Sequence, residues 1–135
     1  MELGRLDHVN VRTANLENMV SWYGRMLGMK SGDRPNFPFP GAWMYVGDQA
    51  VVHLIGVAGE AGAGSEVPLK LEHFAFRATG FTDMVARLDA AGERYHVNAV
   101  PGAPIVQINI WDPDGNHIHV DFASSEVPAE YIGKR

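Results

Sequence analysis

The stretch LDHVNVRTANLENMV, residues 6–20, recurs 65 positions later as LEHFAFRATGFTDMV, residues 71–85. Leu, His, Arg, Met and Val coincide at five of the fifteen positions. Several other positions keep their chemical class, as where Asp7 becomes Glu72 and Val9 becomes Phe74. A single long-period duplication predicts two related halves rather than a solenoid, which needs at least three repeats.

Each copy begins with alternating apolar and polar residues, the pattern of a strand with one buried face. Helical spacing follows. In the first half we expect a helix with Asn15 capping its start and Gly28 ending it. In the second half we expect the helix to end at Gly92. The apolar stripes are Leu16, Met19, Val20, Tyr23 and Leu27 in the first half, and Phe81, Met84, Val85 and Leu88 in the second.

Shorter strands complete each half, and the order of elements is the same in both. The predicted strands are 29–32, 42–46 and 50–55, then 94–100, 105–111 and 117–122, with a turn at 112–115. The fold class is therefore α+β, with two βαβββ modules in a single domain. We expect module one at 5–57, a Gly/Ala-rich linker at 58–68, module two at 69–123 and a C-terminal tail at 124–135.

Composition narrows the class of partner. The chain has no cysteine, which excludes disulfides and thiolate metal sites, and its formal net charge is −5 without any Lys/Arg cluster. A nucleic-acid partner is therefore not expected, because such binding depends on basic patches. Neither a membrane span nor a secretory signal is evident, so we expect a cytoplasmic protein that acts on a small molecule.

The segment RPNFPFPG, residues 34–41, combines three prolines with two phenylalanines. Two interpretations stay open for it: a lid over a pocket, or a loop packed on the surface.

Four of the six histidines hold related positions. His8 and His73 lie third in each opening strand, and His53 and His119 lie in the closing strands, 45 and 46 residues further on. If a pseudo-twofold axis relates the halves, the four imidazoles converge and suit a transition metal. The alternative for each histidine alone is a hydrogen-bonded structural residue, which is our interpretation of His96.

The repeated opening strand and the segment DPDGNHIHVDF, residues 112–122, resemble the vicinal oxygen chelate superfamily, which includes glyoxalase I, extradiol dioxygenases and bleomycin-resistance proteins. The resemblance implies two part-barrel halves that form a cup around a divalent metal, and a homodimer. It also implies the metal ligands His8, His53, His73 and His119. Where the family commonly has a carboxylate ligand, this chain has His119, so neither the glyoxalase nor the dioxygenase pattern is matched in full.

What the resemblance implies for function is a metal-dependent enzyme whose substrate chelates the ion through adjacent oxygens, as lyase, isomerase or dioxygenase. Zn, Ni, Fe or Mn would suit the ligands. His53 or His117 would move a proton; a solvated rim position is the alternative for His117. Asn10, Arg12 and Arg77 are candidate substrate-binding residues, with solvated strand ends as the alternative for both arginines. The competing functions are a metal-free ligand-sequestering protein of the bleomycin-resistance type and an interaction module.

Overall fold

The duplication is visible in the computed structural model, which describes residues 1–2, 5–59 and 71–131. The chain divides into two units, Met1–Ala63 and Gly64–Arg135. The predicted linker lies outside the described residues from position 60 onward, as do the last four residues of the predicted tail. In the described part of the chain, no helix is long and apolar enough to cross a membrane.

The first unit is a βαβββ module with one open sheet. The sheet order is β1-β4-β3-β2, in which β1 runs parallel to β4 and the other neighbours are antiparallel. Its elements are β1 (Val9–Thr13), α1 (Leu16–Leu27), β2 (Lys30–Gly32), β3 (Gly41–Val46) and β4 (Gln49–Gly56).

The second unit repeats this topology with the order β5-β8-β7-β6, and again the opening and closing strands are parallel neighbours. The predicted α+β architecture of two βαβββ modules is therefore confirmed. The elements are β5 (His73–Arg77), α2 (Phe81–Ala91), β6 (Tyr95–Ala99), β7 (Ile105–Trp111) and β8 (His117–Ala123), followed by two short 3₁₀ helices, Ser124–Glu126 and Ala129–Tyr131.

Both predicted helices form. In α2 the buried residues are the four of the predicted stripe, and in α1 the buried face also takes in Trp22 and Met26. Gly28 and Gly92 end the helices with φ of 68°, a left-handed conformation that glycine adopts without steric cost.

The predicted side-chain cap at Asn15 is wrong. Asn15 occupies the N-cap position of α1, but its side chain makes no capping hydrogen bond, because its Oδ1 accepts instead from Nδ2 of Asn18 at 2.9 Å. A residue far along the sequence caps the start of α2, because the backbone N–H of Phe81 donates to Oε1 of Glu126 at 2.9 Å.

The opening strands begin later than their alternation predicts. The parallel ladder between β1 and β4 starts at the pair Val9 and Val52, so His8 precedes the strand, and Leu6 is 79% exposed. In the first unit the Asp7 carbonyl accepts a hydrogen bond from the side chain of Gln49 rather than from the backbone of a neighbouring strand. In the second unit His73 is the first strand residue and Leu71 is 63% exposed.

The strands of the second unit separate two kinds of surface by alternation. One face is apolar and belongs to the core, where Phe81 of α2 meets Phe122 edge to face at 5.5 Å between ring centroids. This face is formed by Val97, Val106, Ile108, Ile110, Ile118, Val120 and Phe122, all buried. The opposite face is polar and carries the histidines, so the candidate site lies on the side of the sheet that the core does not use.

Candidate metal centre

Three imidazoles meet on the polar face of the second unit. His73 stands opposite His117 in the parallel ladder, and His119 follows two residues later on the same face of β8, as alternation predicts. Their nearest ring nitrogens all lie within 4.8 Å of one another. The ring of His73 stacks on that of His119 at 4.0 Å between centroids. This spacing allows one cation to be reached by all three side chains.

Glu72 accepts hydrogen bonds from two of these rings. Its Oε2 accepts from Nδ1 of His73, and its Oε1 accepts from Nδ1 of His117 at 2.9 Å. Hydrogen bonds from His73 and then His117 lower the pKa of Glu72 to about 2. The carboxylate is therefore ionised at neutral pH, and it fixes both Nδ1 atoms as donors. At His73 this leaves Nε2 available for a metal ion, the arrangement that metal-binding histidines usually show.

Both ring nitrogens of His117 face acceptors. Besides Glu72, it has Oδ1 of Asn109 as acceptor, 2.9 Å from its Nε2. A metal ion bound at His117 would therefore displace one of these two protein partners. The indole of Trp111 stacks parallel to this imidazole at 5.2 Å, and the guanidinium of Arg94 lies 4.3 Å above the indole.

His119 is buried, and its Nδ1 accepts a hydrogen bond from Nε2 of Gln107 at 3.0 Å. Burial, followed by the charges of His73 and His117, lowers its pKa. The lowered pKa favours the neutral imidazole, which is the form that binds metals. The donor set is three imidazoles without sulfur, which fits Zn, Ni, Fe or Mn better than Ca or Mg.

The first unit places His8 and His53 together. The ring of His53 lies between those of His8 and Trp43, stacked at 3.8 Å and 4.0 Å. Nδ1 of His8 donates to Oδ2 of Asp7 at 2.6 Å, and Nε2 of His53 donates to the Ala50 carbonyl at 3.2 Å. Among the described residues, Nε2 of His8 and Nδ1 of His53 have no hydrogen-bond partner. Burial and then the charge of His8 lower the pKa of His53.

These two histidines line a depression of about 520 Å³ in the first unit, together with Trp43, Tyr45 and four neighbours. The segment 34–41 reaches its wall, because the ring of Phe37 lies 6.4 Å from that of Trp43. Phe37 and Phe39 are 39% and 38% exposed and stack on each other, and the guanidinium of Arg34 lies 5.0–5.1 Å from both ring centroids.

The predicted substrate-binding residues lie on the opening strands. Asn10 is exposed and stands opposite His53 in the ladder, and Arg12 is exposed two residues further on. Arg77 lines a different cavity, a groove of about 800 Å³ beside Asp121, whose described walls contain no histidine. Alternation along β5 also puts Arg77 on the same face of the strand as His73, four residues away.

The hydrogen-bond partners of the imidazoles were not predicted from the sequence. Both copies of the duplication have an acidic residue, Asp7 or Glu72, immediately before the histidine. This pattern could have identified the partners, because each carboxylate binds the histidine that follows it. No sequence motif marks Gln107 or Asn109 as a partner of an imidazole. Only their alternation on β7, once the register with β8 is known, places them beside His119 and His117.

The fold is that of known structures of one large family. A glyoxalase/bleomycin resistance protein/dioxygenase domain from Frankia sp. EAN1pec superposes with a TM-score of 0.75 at 20% identity, covering 90% of this chain and 99% of that one. Lactoylglutathione lyase from Agrobacterium tumefaciens gives 0.67 at 18% identity, with 90% and 96% covered. The trypanothione-dependent glyoxalase I of Leishmania major gives 0.68 at 19%, with 91% and 89% covered.

The family model of the Glyoxalase/Bleomycin resistance protein/Dioxygenase superfamily matches residues 5–120. The chain belongs to this superfamily, and the predicted family is confirmed. None of the curated protein sequences matches the chain.

Proposed function

We propose that the protein is a divalent-metal-dependent enzyme that acts on a small substrate chelated through adjacent oxygens, with lyase, isomerase or dioxygenase chemistry. The observation that carries the proposal is the cluster of His73, His117 and His119, whose ring nitrogens lie within 4.8 Å of one another. Superfamily membership supports it, since that superfamily includes lyases and dioxygenases.

The residues of the second unit divide between holding the ion and moving a proton. His73 would bind it through Nε2, because its Nδ1 donates to Glu72. His119 would bind it through Nε2 once its hydrogen bond with Gln107 is reversed, because the present bond leaves the hydrogen of the neutral ring on Nε2. His117 lies between the Glu72 carboxylate and the Asn109 amide oxygen, two acceptors within hydrogen-bond distance of its ring nitrogens, and this position suits a proton-transfer role. The ion, when bound, supplies positive charge beside the negative charge that develops on the substrate oxygens.

Several finer assignments stay predictions. They are the roles of His8 and His53 as further ligands, of His53 as an alternative base, and of Asn10, Arg12 and Arg77 in substrate binding. A single domain built from modules 5–57 and 69–123, a homodimer, and a cytoplasmic location also stay predictions.

Two reactions test the enzyme proposal. With Fe(II), oxygen uptake in the presence of catechols would identify a dioxygenase; with Ni or Zn, loss of hemithioacetal absorbance would identify a glyoxalase-type lyase. In either assay we expect His117→Gln to lower kcat while zinc affinity stays close to that of the wild type. An active protein whose kcat is unchanged by His117→Gln would contradict the proton-transfer role.

A metal-free ligand-sequestering protein of the bleomycin-resistance type is the second candidate. The observation that favours it is that both ring nitrogens of His117 already have protein acceptors. If the double variant His8→Ala with His73→Ala keeps the affinity of the wild type for a bound ligand, this function replaces the first.

A further inference from the structure

Three side-chain amides connect His117 to His119 on the polar face of β6 and β7. Asn109 stands opposite His119 in the ladder, and Asn98 stands opposite Gln107. Their hydrogen bonds form one chain: Asn109 Nδ2 donates to Asn98 Oδ1 at 2.6 Å, and Asn98 Nδ2 donates to Gln107 Oε1 at 3.2 Å. We call Asn109, Asn98 and Gln107 the amide row.

The direction of the amide row is fixed at one end by the backbone. Nδ2 of Asn109 also donates to the carbonyl of His96 at 3.2 Å, and a carbonyl can only accept. Asn109 must therefore turn its Oδ1 toward His117, where it accepts from Nε2. Each following amide then has one orientation only, because a donor must face an acceptor at every contact.

The other end of the amide row determines the tautomer of His119. Because Oε1 of Gln107 accepts from Asn98, its Nε2 faces His119 and donates to Nδ1. Nδ1 of His119 must therefore present a lone pair, and the hydrogen of the neutral ring lies on Nε2. This tautomer is opposite to that of a histidine bound to metal through Nε2, whose other ring nitrogen normally donates.

We infer that the amide row selects the tautomer of His119, and that Gln107 is a positioning residue whose amide must turn over before Nε2 of His119 can bind a metal ion. The metal part of this inference rests on the function proposed above. The tautomer part does not, because it concerns the metal-free protein alone. Variants that reverse the amide row should then prepare His119 for the ion.

Two substitutions reverse the amide row at different points. Gln107→Glu places an acceptor against Nδ1 of His119 directly. Asn98→Asp acts one amide away: it offers only acceptors, so Gln107 must turn its Nε2 toward Asp and its Oε1 toward His119. Ala99→Asp is the matched control, because it adds the same charge one residue along β6, at an exposed position on the opposite face.

The first measurement is the ¹⁵N NMR spectrum of labelled histidines in the metal-free protein at about pH 8, where a free imidazole is neutral. We expect the His119 hydrogen on Nε2 in the wild type and in Ala99→Asp, and on Nδ1 in Gln107→Glu and Asn98→Asp. A wild type with the hydrogen on Nδ1 would overturn the inference, as would an unchanged tautomer in folded Asn98→Asp. If a variant does not fold, the position of the His119 hydrogen in the wild-type spectrum still tests the inference.

The second measurement is calorimetric titration with zinc alone. We expect Gln107→Glu and Asn98→Asp to bind zinc about tenfold more tightly than Ala99→Asp, within the range by which the hydrogen-bond partners of ligands alter metal affinity. Equal affinities in all four proteins would overturn the link between Gln107 and the metal centre. If the tautomers change as expected but none of the proteins binds zinc, the proposed function fails while the role of the amide row in selecting the tautomer stands.

Discussion

The Glu72 carboxylate accepts hydrogen bonds from two imidazoles at once, one at each oxygen. The exposed carboxylate stays ionised because those bonds depress its pKa to about 2. A carboxylate in this place orients the rings of His73 and His117 and makes Nε2 of His73 more basic toward a metal ion.

We therefore predict that Glu72→Gln weakens zinc affinity by about 10- to 100-fold, the usual cost of losing such a partner. The amide has a single acceptor oxygen, so at least one of the two imidazoles loses its bond. Calorimetric titration of the metal-free protein with zinc measures the change. Glu130→Gln, an exposed acidic residue on the second 3₁₀ helix, is the control and should bind like the wild type. Equal affinities for all three proteins would contradict the role of Glu72.

The sequence predicted the histidines of the centre far better than their partners. His73 and His119 were identified because the duplication repeats their positions, and His117 because it alternates with His119. Gln107 and Asn109 could not be identified, because an amide has no chemistry that marks it until the strand register is known. Asn15 shows the opposite error: a residue typical of helix caps that bonds to Asn18 instead.

Helix α2 and the apolar side of its sheet form the core of the second unit. Leu88, the last residue of the predicted stripe, is fully buried. Truncation to alanine removes buried methyl groups and leaves a cavity, at a typical cost of about 2–5 kcal/mol. We predict this loss for Leu88→Ala in urea unfolding, with exposed Thr82→Ala within about 0.5 kcal/mol of the wild type. A Leu88→Ala protein as stable as Thr82→Ala would contradict the assigned core.

Tyr95 ties β6 to α2, because its hydroxyl donates to Oδ1 of Asp89 at 3.0 Å. Burial, and then this bond, raise the pKa of Tyr95 above its usual value of 10. The folded state then favours the protonated hydroxyl, so the resulting stabilisation is complete below pH 10 and is lost as the pH rises through the folded pKa.

We predict that Tyr95→Phe is slightly less stable than the wild type at neutral pH, by about 0.5 kcal/mol. The difference should shrink at strongly alkaline pH, where the wild type loses its advantage. Chemical unfolding at several pH values measures both effects. A difference that stays constant from neutral to alkaline pH would show that the tyrosine does not titrate as described.

Helices and strands were predictable where a periodic apolar pattern extends over many residues, and their first and last residues were less predictable. Both helices follow from their apolar stripes and terminal glycines, and every predicted strand is present. The opening strands start late because pairing with a neighbour, which alternation alone does not reveal, decides where a ladder begins: at Val9 in the first half and at His73 in the second.

The duplicated module gives each unit a histidine on its opening strand or just before it, and another on its closing strand. The first unit adds Trp43, stacked on His53, and the second adds His117 with Trp111 stacked on it. The duplication predicted the fold, because the fold depends on the order of elements, and the resemblance carried by the opening strands and residues 112–122 predicted the family. It could not predict which imidazoles have a free nitrogen, because that depends on hydrogen bonds to neighbours such as the Ala50 carbonyl.

The most direct test of the metal centre is the zinc content of protein purified without a histidine tag, followed by titration with zinc. The wild type and His96→Ala should each bind one zinc ion per chain, and the double variant His73→Ala with His119→Ala should lose it. His96 is the control because it lies on the same sheet outside the imidazole cluster. A wild type that neither retains nor takes up zinc, or a double variant that binds it as tightly as the wild type, would contradict the account.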